Sequence, residues 1–282
     1  MNIFRDSNQK KAGVDTSSSG AMTTVSAAAT VPTATAEINT AMMPDLPGES
    51  YIRVLGRLHK ELLPKTYLEI GTNSGSSLAL ATCASISVDP KFSLTSAASI
   101  VNKPLCALYQ QTSDEFFASV DPTNIFGEPI DFAFLDGLHR CEFLLRDFMN
   151  TEKFCKRNSI IALHDCIPVE SSITSRSPLG KAQAEHRNHW WTGDVWRTVW
   201  ALKRYRPDLG ILALDAQPTG LVLVSGLDPT STILSDKYRS IVQEMMEEDL
   251  DKIGIDNWHK QIGLTSTHAI TTSEQITARF WL

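Results

Sequence analysis

What this 282-residue chain lacks narrows it first. It has five cysteines (Cys83, Cys106, Cys141, Cys155, Cys166) but no CxxC pair. An odd, scattered set argues against a disulfide framework or a zinc site and for reduced thiols in an intracellular protein. It has no excess of positive charge: 26 Lys and Arg against 32 Asp and Glu give a net charge of -6. That leaves no electrostatic footprint for nucleic acid, so no nucleic-acid partner is expected. No apolar run reaches the ~20 residues of a membrane span, so no membrane partner is expected either. Arg5, Lys10 and Lys11 are not followed by the apolar core of a secretory signal, and Asp6 and Asp15 interrupt what a transit peptide would keep free of acids. A cytoplasmic location is the expectation. The remaining composition, 42% hydrophobic and 21% charged, suits one large α/β domain or two small ones.

Residues 1–43 also lack aromatics and periodicity over their Ser/Thr/Ala-rich part, which predicts a disordered tail preceding a domain over 44–282. "LPGESYIRVLGRLHKELLP" carries Ile52, Leu55, Leu58, His59 and Leu62 at helical spacing and stops at Pro64. Apolar runs then recur at 66–70, 85–89, 105–110, 130–136 and 159–165, with helices expected at about 75–83, 93–101, 114–119 and 140–156. Strands alternating with helices predict a doubly wound, mostly parallel, Rossmann-like α/β sheet. The near-continuous apolar strands suit a sheet covered on both faces. The rhythm breaks at 166–190, a length typical of lids and binding loops. A helix at 192–205 precedes "LGILALDAQPTGLVLVSG", which reads as a hairpin that adds an antiparallel strand and brings the sheet to seven strands. Residues 232–255 read as a charged helix within a peripheral segment, 229–282, whose last 25 or so residues show no clear pattern.

The stretch "TYLEIGTNSGSSLAL" (66–80) is a strand meeting a glycine turn, where open α/β sheets bind ligands. A dinucleotide turn places further glycines where Asn73 and Ser76 stand, and a phosphate-binding loop needs Lys-Ser/Thr where Ser76-Ser77 follow Gly75. Both absences disfavour a phosphate-bearing ligand. Asp89 ends the second run 18 residues after Gly71, the spacing at which a carboxylate meets ribose hydroxyls.

The remaining E-x-G-x-x-x-G pattern, with "ISVDP", "YQQTSDEFF", "DFAFLDGLHRCEFLLRDF" and "IIALHDC", resembles the class I S-adenosylmethionine-dependent methyltransferases over about residues 50–226. The resemblance is to their small-molecule O-methyltransferase branch. It implies that Glu69 faces the positive end of S-adenosylmethionine, directly or through water. Gly71, Asn73, Gly75 and Ser76 would form its turn, Asp89 would hold the ribose, and Ser113 and Asp114 would lie near the adenine. Asp136 would border the cofactor. An unreactive carboxylate exposed at a strand end is the plain alternative for each acid.

Methyl transfer needs an acceptor held in line with the sulfonium methyl and deprotonated in time. Asp136 and His139 follow the fourth strand; His164 and Asp165 close the fifth. Two readings stay open. Related metal-dependent enzymes imply a Mg²⁺ or Mn²⁺ site at Asp136, His164 and Asp165, although the residue beside Asp165 is His164 or Cys166 depending on register, and magnesium prefers oxygen. Without metal, His139 is the general base, with Asp136 and His164 beside it. His139 could instead cap the helix after it, and His164 could satisfy a backbone group inside the fold. Asp147 reads as a solvated or helix-packing residue, Cys141 and Cys166 as inert, and Trp196 and Trp200 as core. His186, His189, Trp190 and Trp191 could line a flat or sugar-like acceptor, and Arg197 could reach an anionic one. The expected protein methylates a small hydroxylated acceptor and could form a homo-oligomer. A binding module without turnover, N- or C-methylation, and an NAD(P)-dependent oxidoreductase are the competing readings.

Overall fold

The computed structural model describes residues 46–178 and 190–282. The tail read over 1–43, and His186 and His189, lie outside the described residues. Seven strands form one sheet in the order β3-β2-β1-β4-β5-β7-β6. They are β1 (Thr66–Ile70), β2 (Ala84–Val88), β3 (Cys106–Tyr109), β4 (Ile130–Leu135), β5 (Cys155–His164), β6 (Gly210–Leu214) and β7 (Leu221–Ser225). β1 to β5 pair in parallel, and β7 pairs antiparallel with both β5 and β6. This is the sheet expected from the alternation, with the hairpin supplying the antiparallel strand. The strand order reverses between β1 and β4, so the carboxyl ends of both open onto one crevice.

Helix α1 (Tyr51–Leu62) buries Val54, Leu55 and Leu58, with Tyr67, Phe132, Phe134 and Ile160, in the core on one face of the sheet. On the other face lie α2 (Ser113–Ser119), α3 (Pro122–Phe126), α4 (Cys141–Glu152) and α5 (Trp196–Tyr205), around Leu68, Ile70, Ala133, Leu135 and Ile161. Alternate residues of one strand thus enter opposite cores, because side chains of a strand alternate between its faces. Trp196 is buried and meets Trp258 edge to face; Trp200 packs half-buried against the same core.

Three expected elements differ. The helices read at 75–83 and 93–101 are short 3₁₀ turns, Leu78–Leu80 and Ala97–Ser99. Both stretches are rich in Ser and Thr, whose hydroxyls compete for backbone groups, and Lys103 donates to the carbonyls of Leu78 and Ala81. The charged helix read at 232–255 breaks into α6 (Ile233–Asp236), α7 (Tyr238–Glu247) and α8 (Leu250–Ile253), followed by α9 (Ile255–Ile262). This region is not peripheral: Ile241, Met245, Trp258 and Ile262 are core residues. The closing residues also pack inward. Helix α10 (Ser273–Thr277) lies on α1, and Ile270, Ile276 and Phe280 are buried. No described helix is long and apolar enough to cross a membrane.

Candidate active site

The turn after β1 is built by backbone conformation. Gly71 has φ +86°, and a Cβ there would overlap the carbonyl oxygen of Asp136. Glycine therefore lets the ends of β1 and β4 close together, with Asp136 N–H donating to Ile70 O at 2.9 Å. Asn73 takes a left-handed φ of +45°, which asparagine tolerates better than most residues. Its N–H donates to Asp89 Oδ2 at 2.7 Å, and Lys91 N–H donates to Oδ1 at 2.7 Å. Asp89 is thereby fixed at the end of β2.

These residues open onto a cavity of about 920 Å³, within the ~300–1,000 Å³ of small-molecule sites. Gly71, Asn73, Asp89, Ser113, Asp114, Asp136, His139, His164 and Asp165 all line it. Glu69, Gly75 and Ser76 do not. Glu69 is fully buried beneath the turn, on the α1 side of β1, where Tyr67 Oη donates to it at 2.5 Å. Gly75 packs against Ser99 and Leu94, and Ser76 is exposed on the outside of the turn, facing Ser74.

At the β4–β5 end four side chains converge. His164 Nδ1 lies 3.2 Å from Asp136 Oδ1 and 3.4 Å from Asp165 Oδ1. His139 Nε2 lies 3.1 Å from Asp165 Oδ2 and 3.5 Å from Asp136 Oδ1. Burial works against a proton on His139, but Asp165 and Asp136 outweigh it and raise the imidazole to about 9. The same balance raises His164 further. Burial alone would raise Asp165; the two imidazoles hold it well below the usual carboxylate range. With nothing else bound, both imidazoles are held protonated at neutral pH by the acids beside them.

Neighbouring segments orient this cluster; of their residues sequence reading named Trp191 alone, and only as a ring lining the acceptor. Trp191 O lies 2.7 Å from His139 Nδ1, which fixes the ring and leaves Nε2 facing the acids. Gly193 packs directly under the His139 carbonyl. The Thr219 hydroxyl, in the turn before β7, donates to Asp165 Oδ1. Asp165 itself sits at φ +59°. Tyr51 opens α1, whose N–H is tied to Gln217 O at 3.0 Å, and lays its ring 4.0 Å from that of His164. His139 is thus not a helix cap, and α4 instead begins with Cys141 N–H donating to Asp194 Oδ1 at 2.9 Å. Nor does His164 satisfy a backbone group: its Nε2 is buried with no hydrogen-bond partner among the described residues.

Other expectations are corrected here. Arg197 is off the cavity wall, donating to Asp194 Oδ2 at 2.8 Å and Glu248 O at 2.7 Å, so it cannot greet an anionic acceptor. Asp147 is neither solvated nor a mere packing residue: it is buried and lines the cavity. Cys141 and Cys166 are buried thiols pushed upward by burial, as inert cysteines should be. Trp190 and Trp191 line the cavity from the described end of the 166–190 loop. Asp136, His164 and Asp165 offer ligand atoms within 4.8 Å of one another. A second such group, Cys141, Glu142 and Asp194, is already balanced by Arg176 and Arg197.

Glu69 and Asp147 make stability pH-dependent. Burial pushes each up to about 7, at Glu69 against the hydrogen bond from Tyr67. An acid whose folded-state pKa is raised stabilises the fold fully below its unfolded value and loses that contribution as pH rises through about 7. Urea unfolding of Glu69→Gln should therefore show a shallower loss of stability between pH 5 and 8 than the parent, by on the order of 3 kcal/mol. An unchanged slope would contradict the buried, partly protonated carboxyl.

Residues 68–166, about a third of the chain, match a family model described as a methyltransferase domain. No curated protein matches the chain. Among solved structures, an O-methyltransferase from Streptomyces achromogenes involved in tomaymycin synthesis, in complex with S-adenosylmethionine, is similar over 62% of this chain and 78% of its own, at 15% identity and a TM-score of 0.46. A methyltransferase from Podospora anserina bound to S-adenosylhomocysteine is similar over 62% and 76%, at 13% identity and 0.43. An O-methyltransferase from Bacillus cereus, in complex with S-adenosylhomocysteine, is similar over 61% and 79%, at 14% identity and 0.40. With the sheet order, the strand-end acids and the family match together, the chain resembles the class I S-adenosylmethionine-dependent methyltransferases, and residues 68–166 match a methyltransferase-domain model.

Proposed function

We propose that this protein is an S-adenosylmethionine-dependent O-methyltransferase acting on a small hydroxylated acceptor. One observation carries the reading: a single cavity joins a fixed carboxylate at the end of β2 to an acid–imidazole cluster at the ends of β4 and β5. The first suits a ribose diol. The second suits deprotonation of a hydroxyl, and both line the same cavity.

In this reading the acceptor oxygen lies between His139 Nε2 and the sulfonium methyl. His139 Nδ1–H donates to Trp191 O, and the acting base is the neutral ring, a minority form at neutral pH that grows as pH rises toward about 9 and whose Nε2 lone pair faces the acceptor. As the oxygen–methyl bond forms and the sulfur–methyl bond breaks, the bonding pair goes to sulfur, which becomes a neutral thioether. The acceptor proton passes to His139 Nε2. Asp136 and Asp165 stabilise the resulting imidazolium, and Thr219 keeps Asp165 turned toward it. Tyr51, Trp190, Trp191 and Pro218 border the acceptor space and limit water there.

Asp136, His164 and Asp165 also fit a divalent cation. Two carboxylates and one imidazole suit Mn²⁺ better than Mg²⁺, since magnesium favours oxygen alone. When bound, such an ion would replace the protons that now balance the acids and would lower the pKa of a coordinated hydroxyl. Mn²⁺ binding followed by electron paramagnetic resonance should give one site that Asp165→Ala abolishes; an Asp165→Ala variant that binds Mn²⁺ as well as the parent removes this ligand set.

The cofactor assignment has its own test. Asp89→Ala should weaken S-adenosylhomocysteine binding by about 10- to 100-fold, the loss of hydrogen bonds to a charged acceptor. Binding untouched by Asp89→Ala would remove the ribose assignment. For the reaction, transfer of labelled methyl from S-adenosylmethionine should yield methyl ethers from hydroxylated acceptors; label found only on nitrogen or carbon would redirect the reading.

A further inference from the structure

Arg176 does not line the cavity, yet it joins the three segments that surround His139. Its Nη1 donates to Asp194 Oδ2 at 2.5 Å and to Glu142 Oε2 at 3.0 Å, and its Nη2 donates to Glu142 Oε1 at 2.5 Å. The guanidinium thus grips Glu142 with both nitrogens and Asp194 with one, a task for which its planar fork is suited. Glu142 lies in the first turn of α4, three residues after His139. Asp194 meets the start of the same helix, where its Oδ1 accepts from Cys141 N–H at 2.9 Å, and it is buried. Arg176 comes from a third segment, just beyond the 3₁₀ turn Ser171–Thr174.

That third segment is laced to the strip 191–194. Trp191 Nε1–H donates to Ser175 O at 2.7 Å, Thr192 N–H donates to Ile173 O at 3.1 Å, and the Thr192 hydroxyl donates to the same oxygen at 3.2 Å. The strip in turn bears on His139 from two sides. Trp191 O accepts from Nδ1–H, with the indole ring 5.1 Å from the imidazole, while Gly193, at φ +56°, lies so close under the His139 carbonyl that a Cβ would overlap it. His139 lies between β4 and α4, outside both. A side chain on such a connection takes its aim from what packs against it, and here that is the strip.

We propose that Arg176 is a positioning residue: by clamping Glu142 to Asp194 it keeps Trp191 O on His139 Nδ1–H and so aims Nε2 at the acceptor. The use made of His139 rests on the methyltransferase reading above; the clamp itself does not. Ser175, which anchors the indole, precedes Arg176 directly, so that anchor is as fixed as the guanidinium beside it. The fold does not depend on the clamp in the same way. Asp194 keeps Arg197 Nη1 at 2.8 Å, so the buried acid is not left bare when Arg176 is removed. What is lost is the tie between the start of α4 and the segment that steadies Trp191, and the contact at Nδ1 then opens more often.

The test follows the His139 Nδ1 proton by NMR in the full chain carrying isotope-labelled histidine. That proton is present whether or not Nε2 is protonated, so its exchange with water reads the Trp191 contact and not the charge of the ring. The signal missing from His139→Ala gives the assignment. Arg176→Ala should speed the exchange about 3- to 30-fold. The imidazole of His59, buried on α1 against Tyr67 and Phe132 on the other face of the sheet, should stay within about twofold of its parent rate. Arg176→Gln, which keeps length but neither the charge nor the fork, carries the same expectation if the alanine variant does not fold. Unchanged exchange at His139 overturns the assignment. So does an equal rise at His59, which is what a merely structural role would give. Calorimetry with S-adenosylhomocysteine is read separately: a parent that does not bind it overturns the methyltransferase reading, a result on which the imidazole exchange does not depend.

Discussion

Replacing His139 with alanine should lower kcat for methyl transfer by about 10²–10⁴-fold while leaving S-adenosylhomocysteine affinity within about threefold. The split follows from position. His139 Nε2 lies among Asp136 and Asp165, at the end of the cavity proposed for the acceptor, whereas Asp89 and the Gly71 turn line the part proposed for the cofactor. Removing a base that acts on the acceptor proton raises the barrier without removing a cofactor contact. The variant also separates an enzyme from a module that binds without turnover. If kcat is unchanged, the proton leaves by another route. If cofactor affinity falls in step with rate, His139 is holding the cavity together and no chemical role can be assigned to it.

Gly71→Ala should destabilise the fold by about 2–6 kcal/mol, combining ~1–3 kcal/mol for a side chain at positive φ with ~1–3 kcal/mol for overpacking. The new Cβ would overlap the backbone of Asp136 and Gly137, which cannot swing aside as the tip of a long side chain can. Gly71 N–H also donates to Val88 O at 2.9 Å, so the turn is tied to β2 as well as β4. Against a typical total stability of ~5–15 kcal/mol, such a loss unfolds a large share of the molecules. Gly127→Ala is the control. Its φ is +76°, but a Cβ there meets nothing within 4 Å, so only the backbone cost of ~1–3 kcal/mol applies. Urea unfolding of both variants should rank Gly71→Ala well below Gly127→Ala. Equal losses would mean that the closure of β1 on β4 is looser than described.

The sheet was legible because strands buried on both faces must be apolar almost throughout. β4 and the end of β5 are covered on both sides, and their sequences carry no clean alternation. Gly71 and Asp89 were legible for a related reason: a turn at positive φ and a strand-end acid 18 residues on are local demands, written locally. Ser76 and Glu69 were read from the same turn, yet one faces outward and the other lies beneath it, because the motif fixes spacing and not the direction of each side chain. Tyr51, Trp191 and Thr219 come from three distant segments. Each reaches the cluster through tertiary packing that no local period records. Asp147 left a faint signal. It falls on the stripe of α4 that carries Leu144, Phe148 and Thr151, all buried, so a carboxylate there needed a reason to be dry. The helices expected at 75–83 and 93–101 failed because hydroxyl-rich segments between short strands were given a helical reading on rhythm alone.

The central claim is that one cavity holds an S-adenosyl nucleoside between Asp89 and the Asp136–His139–Asp165 cluster. Calorimetric titration of the full chain with S-adenosylhomocysteine and, separately, NADH tests it most directly. Saturable binding of S-adenosylhomocysteine with no NADH binding is the predicted result, because Asn73 and Ser76 stand where a pyrophosphate would need glycines. Binding of NADH without S-adenosylhomocysteine, or of neither, would contradict it.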